Sequence, residues 1–156
     1  MAGNYVQRPD GGVDIQDSDS VAVASFGGGV QNYRAIKVAK IAITGVAATT
    51  GGALFSWANP ENSSIIIERF QIDITTKSTG AANGSFGVAA NGTTSSANLI
   101  DTYALGGTEK VVDNHVDGST NGKFVQKMTT SQFVTGTGSA TTAGLVGNVY
   151  IHYYVI

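Results

Sequence analysis

The sequence predicts an all-β protein: a β-sandwich, of jelly-roll type, carrying an extended N-terminal arm. Apolar residues alternate with period two over repeated short runs rich in Val, Ile, Phe and Tyr. Turn signals such as Asn83-Gly84, Asn91-Gly92 and Asn121-Gly122 punctuate those runs at the spacing of about 8–12 residues typical of sandwiches. No window repeats apolar residues at helical spacing among helix formers, so no helix is expected. Unequal loop lengths favour a jelly roll over an up-and-down barrel.

Residues 1–34 read as the arm, with paired glycines, spaced aspartates and the Gly-rich joint "FGGGV" at 26–30. The body, 35–156, opens with a strand at 35–44. There Ile36, Val38 and Lys40 alternate with Lys37, Ala39, Ile41 and Ile43. A short strand at 53–57 follows, then a corner at Asn59-Pro60, where proline fixes its own φ and pushes its predecessor into extended backbone. The next strand, 64–76, sets Ile66, Glu68, Phe70, Ile72 and Ile74 on one face, and Ile65, Ile67, Arg69, Gln71 and Asp73 on the other. That pattern predicts a half-buried strand, covered on both faces only at its start. Phe55, Trp57 and Phe70 are placed to form an aromatic centre. Shorter strands are expected at 85–90, 99–105, 110–112, 123–129 and 132–135. The final run sets Leu145, Val149, Ile151, Tyr153 and Val155 against Asn148, Tyr150, His152 and Tyr154, with Gly144 and Gly147 marking a bulge or a close backbone approach.

A chain of 156 residues suits one domain with its own core and no covalent staple; it has no Cys, hence no disulfide and no thiolate metal site. Charged residues are 13% of the chain, about half the usual quarter. A surface of Gly, Ser, Thr, Ala and Asn suits a protein that works docked in an assembly. Charge is uneven: residues 1–30 hold Arg8 against Asp10, Asp14, Asp17 and Asp19, and Arg34, Lys37 and Lys40 follow at once. An acidic arm beside a basic start of the body suggests pairing between the arm and a neighbour, with a solvated tail as the bland alternative. No basic run suits a nucleic-acid backbone. The N-terminus lacks the charged and apolar regions of a signal peptide, and no apolar stretch is long enough to span a membrane.

Candidate chemistry is sparse. In "DNHVD" an extended backbone would point Asp113, His115 and Asp117 the same way, as a metal could use; a structural His–Asp hydrogen bond is the simpler reading. His152 lies between Tyr150 and Tyr154, where a packed or interface histidine is the ordinary outcome. No nucleophile elbow, EF-hand or phosphate loop is present. Glu61, Glu68 and Glu109 have no evident carboxylate partner for glycoside hydrolysis. Tyr150 and Tyr154 could stack on sugars, or pack against another subunit.

The stretch "TTGGALFSWANPENSSIIIERFQIDITTKSTGAANGSFGVAANGTTSSANLID", the later Gly122-Lys123 and the closing "TAGLVGNVYIHYYV" resemble small phage structural proteins encoded near the major capsid protein. The likeness covers roughly residues 45–156 and rests on strands and corners. It implies a head decoration (cement) protein in the virion, made in the host cytoplasm and bound to the outer surface of the major capsid protein lattice. It also implies a homo-oligomer, a trimer ahead of a dimer, with no enzyme activity, cofactor, nucleic acid or membrane. On this reading Asp10, Asp14, Asp17, Asp19, Arg34, Lys37, Tyr150 and Tyr154 are the candidate capsid or subunit contacts. A tail-fibre or carbohydrate-binding β module is the alternative; a hydrolase or metalloenzyme built on His115 is a third.

Overall fold

The computed structural model describes the backbone of three short N-terminal strands and residues 35–107, 111–122 and 124–156. The chain divides into two units, 1–35 and 36–156. In the first, β1 (Asn4–Gln7), β2 (Val13–Gln16) and β3 (Ala22–Val23) pair antiparallel in that order. Asp14 lies in β2, its backbone opposite Val6. Asp10, Asp17, Asp19 and Arg34 lie outside the described residues.

The second unit is a sandwich of two antiparallel sheets. Its strands are β4 (Lys37–Thr44), β5 (Gly52–Ala58), β6 (Ile65–Thr76), β7 (Asn83–Ala89), β8 (Ile100–Ala104), β9 (Val111–Asp113), β10 (Gln126–Met128), β11 (Phe133–Gly138) and β12 (Val146–Val155). One sheet runs β10-β6-β12-β4, with β9 also paired to β6; the other runs β5-β11-β7-β8. β9 and β10 are two halves of one interrupted strand, flanking the short helix α1 (Asn114–Asp117). Counted that way, the eight strands fall in the order first, eighth, third, sixth in one sheet and second, seventh, fourth, fifth in the other. That is the jelly-roll arrangement expected from the sequence. The helical turn departs from the expectation of no helix. The strand expected over 123–129 is shorter, starting only at Gln126.

The core lies between the sheets. Phe55, Phe70 and Phe86 meet at ring-centroid separations of 5.8–6.4 Å, with isoleucines and leucines around them. Phe86 takes the place expected for Trp57, which instead packs at the rim against Tyr153, 5.4 Å between centroids. Gly136 makes room for this trio: a Cβ there would sit 2.5 Å from the Phe55 ring and 2.8 Å from Phe86.

Strict alternation fails at bulges in β6 and in β5, and each of these failures has a geometric cause. In β6, Arg69 opposes His152 and Ile67 opposes Tyr153, so Glu68 is the extra residue. One inserted residue reverses which side chains face inward. The buried set is therefore Ile65 and Ile67 before the bulge and Phe70, Ile72 and Ile74 after it, not one continuous face. In β5 the register slips at Leu54, so Leu54 and Phe55 are both buried. Asn83-Gly84, expected as a turn, lies inside β7. Asn91-Gly92 does turn the chain: Asn91 Oδ1 accepts from the backbone and hydroxyl groups of both Thr93 and Thr94.

The Asn59-Pro60 corner is held by Asn59 itself. Its Nδ2 donates to Ser63 O and Thr129 O, and its Oδ1 accepts from Glu61 N, while its own N–H bonds Gln132 O. One side chain thus ties the β5–β6 corner to the β10–β11 connection. At the other end of β6, Gly147 lets β12 approach closely; a Cβ there would lie 2.3 Å from Asp73 O. Gly147→Ala should therefore cost about 1–3 kcal/mol through forced backbone movement. Gly52→Ala, whose Cβ would meet only Val46 side-chain atoms at 3.4 Å, should change stability far less. Urea unfolding of the two variants checks this; equal midpoints would contradict the close approach.

Candidate docking face

The segment "DNHVD" is a helical turn, so Asp113, His115 and Asp117 do not share a face as an extended strand would require. Asp113 is the N-cap, its Oδ1 accepting from the His115 N–H, and Asp117 reaches back to accept from the Asp113 N–H. The Asp–His bond thus uses the main chain, not the imidazole. The imidazole Nε2 faces Glu68 O at 2.9 Å and Phe124 O at 3.1 Å, so that nitrogen carries the proton. Among the described residues no group of His, Asp and Glu is placed to hold a metal.

The turn does structural work instead. β10 pairs with Ile65–Ile67 and β9 with Gln71–Asp73, so on the side away from β12 the backbone at the bulge between them has no strand beside it. Asn114 Oδ1 accepts from the Phe70 N–H at 2.8 Å, and the His115 ring donates to Glu68 O. These side chains complete the ladder that the interrupted strand leaves open, meeting the requirement that buried backbone groups find partners. Asn114, fully buried, also donates through Nδ2 to Phe124 O, which locates the far end of the turn.

Asp113 is buried and bonded by Arg69 Nε and, at 3.2 Å, by Gln71 Nε2. Burial alone would raise its pKa, but the His115 N–H and the Arg69 guanidinium outweigh that and hold it below the usual 3.8. At the opposite margin Lys37 Nζ bonds Glu61 Oε1 at 2.8 Å, and the Tyr153 hydroxyl donates to the same oxygen at 3.1 Å. The lysine bond lowers the Glu61 pKa; burial, with Glu61 beside it, raises that of Tyr153. Lys37 is therefore an internal partner as well as a surface cation, and it braces the β4 start against the proline corner.

Tyr150 and Tyr154 stand on the outer face of β12, with His152 between them and all three half-buried. Tyr150 lies opposite Lys40 and Gln71, with the Lys40 ammonium 5.7 Å from its ring centroid; Tyr154 lies opposite Ile66. The large exposed apolar side chains belong to this same sheet and its flanks: Ile36 and Val38 at β4, Val111, Val116, Phe124 and Val125 around β9, α1 and β10, and Val146 and Ile156 at the ends of β12. Among the described residues, none belongs to the β5-β11-β7-β8 sheet. There the loop after β7 lies over the outer side. Asn98 brackets Val88, Thr135 donates to Thr94 O, and Ser95 and Thr137 share a hydroxyl contact. The outer side of one sheet is thus dressed in hydroxyls, whereas the other sheet and its flanks carry the exposed apolar groups and the tyrosines among Lys40, Arg69, Gln71, Asp73, Asn148 and His152. Sequence periodicity located Tyr150 and Tyr154 but not Val116 or Phe124; no pattern in "NHVDGSTNGKF" marks them as neighbours. An open hollow of about 480 Å³ lies at residues 77–83, 104, 106 and 107, with Lys77 its one ionisable side chain.

No family model and no curated protein sequence matches the chain. A chain of the solved structure "Capsid of Ralstonia phage GP4" superposes with a TM-score of 0.54 at 14% identity, covering 82% of this chain and 90% of that one. At that identity the likeness is one of fold.

Asp113→Asn should destabilise the protein at neutral pH by about 1–3 kcal/mol, because Arg69 and the cap lose a charged acceptor. A carboxylate with a depressed folded pKa contributes above its unfolded pKa and stops contributing as pH falls through the folded value. The gap between parent and variant should therefore be constant near neutrality and close below pH 3.8. Denaturant unfolding at a series of pH values checks this; a gap independent of pH would remove the ion pair from the account.

Proposed function

We propose that this chain is a structural protein of a phage head, a decoration or cement protein that binds the outer surface of the major capsid protein lattice and holds it together. The observation that carries the reading is the jelly roll shared, over most of both chains, with a chain of the Ralstonia phage GP4 capsid structure. The surface supports it: apolar side chains and half-buried tyrosines gather on one sheet, as a protein-facing side requires, and hydroxyls cover the other. A sugar-stacking role for the tyrosines would need an open aromatic face, whereas the Lys40 ammonium lies over Tyr150.

On this reading Tyr150 and Tyr154, with Lys40 beside Tyr150, belong to the docking side, and Lys37, opposite Tyr153, lies at its margin. The acidic stretch holding Asp10, Asp14, Asp17 and Asp19 meets a basic surface on the capsid or on a neighbouring copy. Many copies on a symmetric lattice multiply weak contacts through effective concentration.

Purified protein should co-sediment saturably with mature capsids assembled from the major capsid protein of the same phage, and should raise their melting temperature. Tyr150→Ala with Tyr154→Ala should weaken that binding at least tenfold while the isolated protein stays folded. Binding to a glycan array but not to capsids would replace the reading by the carbohydrate one.

A further inference from the structure

An asparagine followed by glycine can lose its side-chain amide without an enzyme, because glycine has no Cβ to keep its backbone nitrogen from the asparagine Cγ. The chain carries this pair at Asn83-Gly84, Asn91-Gly92 and Asn121-Gly122. The reaction needs a free nucleophile, a polarised carbonyl and a leaving group that nothing holds, and the fold treats the three pairs differently.

Gly84 is buried inside β7, in register with Gly138 of β11 on one side and Tyr103 of β8 on the other. Its nitrogen cannot turn on Asn83 without breaking the sheet. At the third pair the Gly122 N–H donates to Gly118 O at 3.0 Å, and Asn121 Nδ2 donates to Asp101 Oδ2. Nucleophile and leaving group are both tied there.

Asn91 is the reverse case. Its side chain is exposed, and all four of its hydrogen bonds end on Oδ1. The Thr93 and Thr94 N–H groups donate at 3.1 and 3.0 Å, and both threonine hydroxyls donate at 2.9 Å. Among the described residues neither Asn91 Nδ2 nor the Gly92 N–H has a partner. Donors converging on one carbonyl oxygen form an oxyanion hole, placed on the atom where negative charge develops when Cγ is attacked.

We propose that Asn91 is a self-modification site, at which the protein exchanges an amide for a carboxylate. Solvent hydroxide removes the Gly92 N–H proton, and the nitrogen forms a bond to Asn91 Cγ. Oδ1 takes the negative charge, facing its four donors. The Cγ–Nδ2 bond then breaks; Nδ2 takes a proton from water, which restores the hydroxide, and leaves as ammonia. Water opens the resulting succinimide at either carbonyl, giving aspartate or isoaspartate. No electrons change hands. The product places a charge within 78–100, a stretch with no ionisable side chain. The reaction requires no capsid, so its failure and that of capsid binding are separable.

The test follows the folded full chain in mildly alkaline buffer made with heavy-oxygen water, by mass spectrometry of its peptides. Asn91 should convert on the order of tenfold faster than Asn83 and Asn121, each product gaining one heavy oxygen. In concentrated urea the three should react alike, since glycine follows each. Thr93→Val with Thr94→Val removes the two hydroxyl donors at exposed positions. It should slow Asn91 roughly tenfold, leave Asn83 and Asn121 unchanged and keep the parent circular dichroism; either single variant should slow Asn91 less, with the same sign. An intact Asn91, faster loss at Asn83 or Asn121, the same ranking in urea, or hydroxyl-free variants that react as fast as the parent would each overturn the assignment.

Discussion

The satisfaction of the β6 backbone at its bulge is the constraint on which the rest of the body depends. β6 is the longest strand, and it lies between β12 on one side and the divided strand β9–β10 on the other. Inserting Glu68 lets Ile65 and Ile67 and then Phe70, Ile72 and Ile74 all point into one core. On the side away from β12, the break between β9 and β10 leaves polar backbone at the bulge without a strand. Asn114 and His115 supply the missing acceptor and donor, and Asp113 caps the turn that presents them. A residue that reads as a metal ligand in isolation is here a partner of backbone carbonyls at the sheet surface, while the buried Phe70 N–H is satisfied by Asn114.

The same interruption shapes the surface. Because the sixth strand breaks into a helical turn, Val116 and Phe124 are carried out from the sheet margin. A continuous strand would have alternated its side chains and buried about half of them. The device that repairs the ladder thus also creates an apolar projection. The opposite sheet follows another course: Gly87 in β7 lets the loop after β7 lie against its outer side, and hydroxyls and Asn98 satisfy that loop. The resulting body carries its large exposed apolar side chains on one sheet and its flanks and a hydroxyl-bonded loop on the other.

Much of this was legible in the sequence because a strand writes its environment into alternate residues. The runs at 37–44, 65–76 and 146–155 show it, and so does the division of β12 into a core face and a tyrosine face. The corner at Asn59-Pro60 was legible too, since proline restricts backbone whatever surrounds it. The reversal of faces at Glu68 was not, because a bulge is a property of the paired strand: it appears only when β12 sets the register. Nor was the turn at Asn114–Asp117, four residues whose helical form is fixed by a cap and by the carbonyl groups they meet across the sheet. Trp57 gave way to Phe86 in the aromatic centre for a similar reason. The position of a ring in a core depends on what the facing sheet leaves open, and Gly136 leaves that space beside Phe55 and Phe86. Local chemistry determined strands, corners and the all-β class; only the packing of two sheets decided which residues meet, because contacts between strands distant in the chain leave no periodic trace within either one.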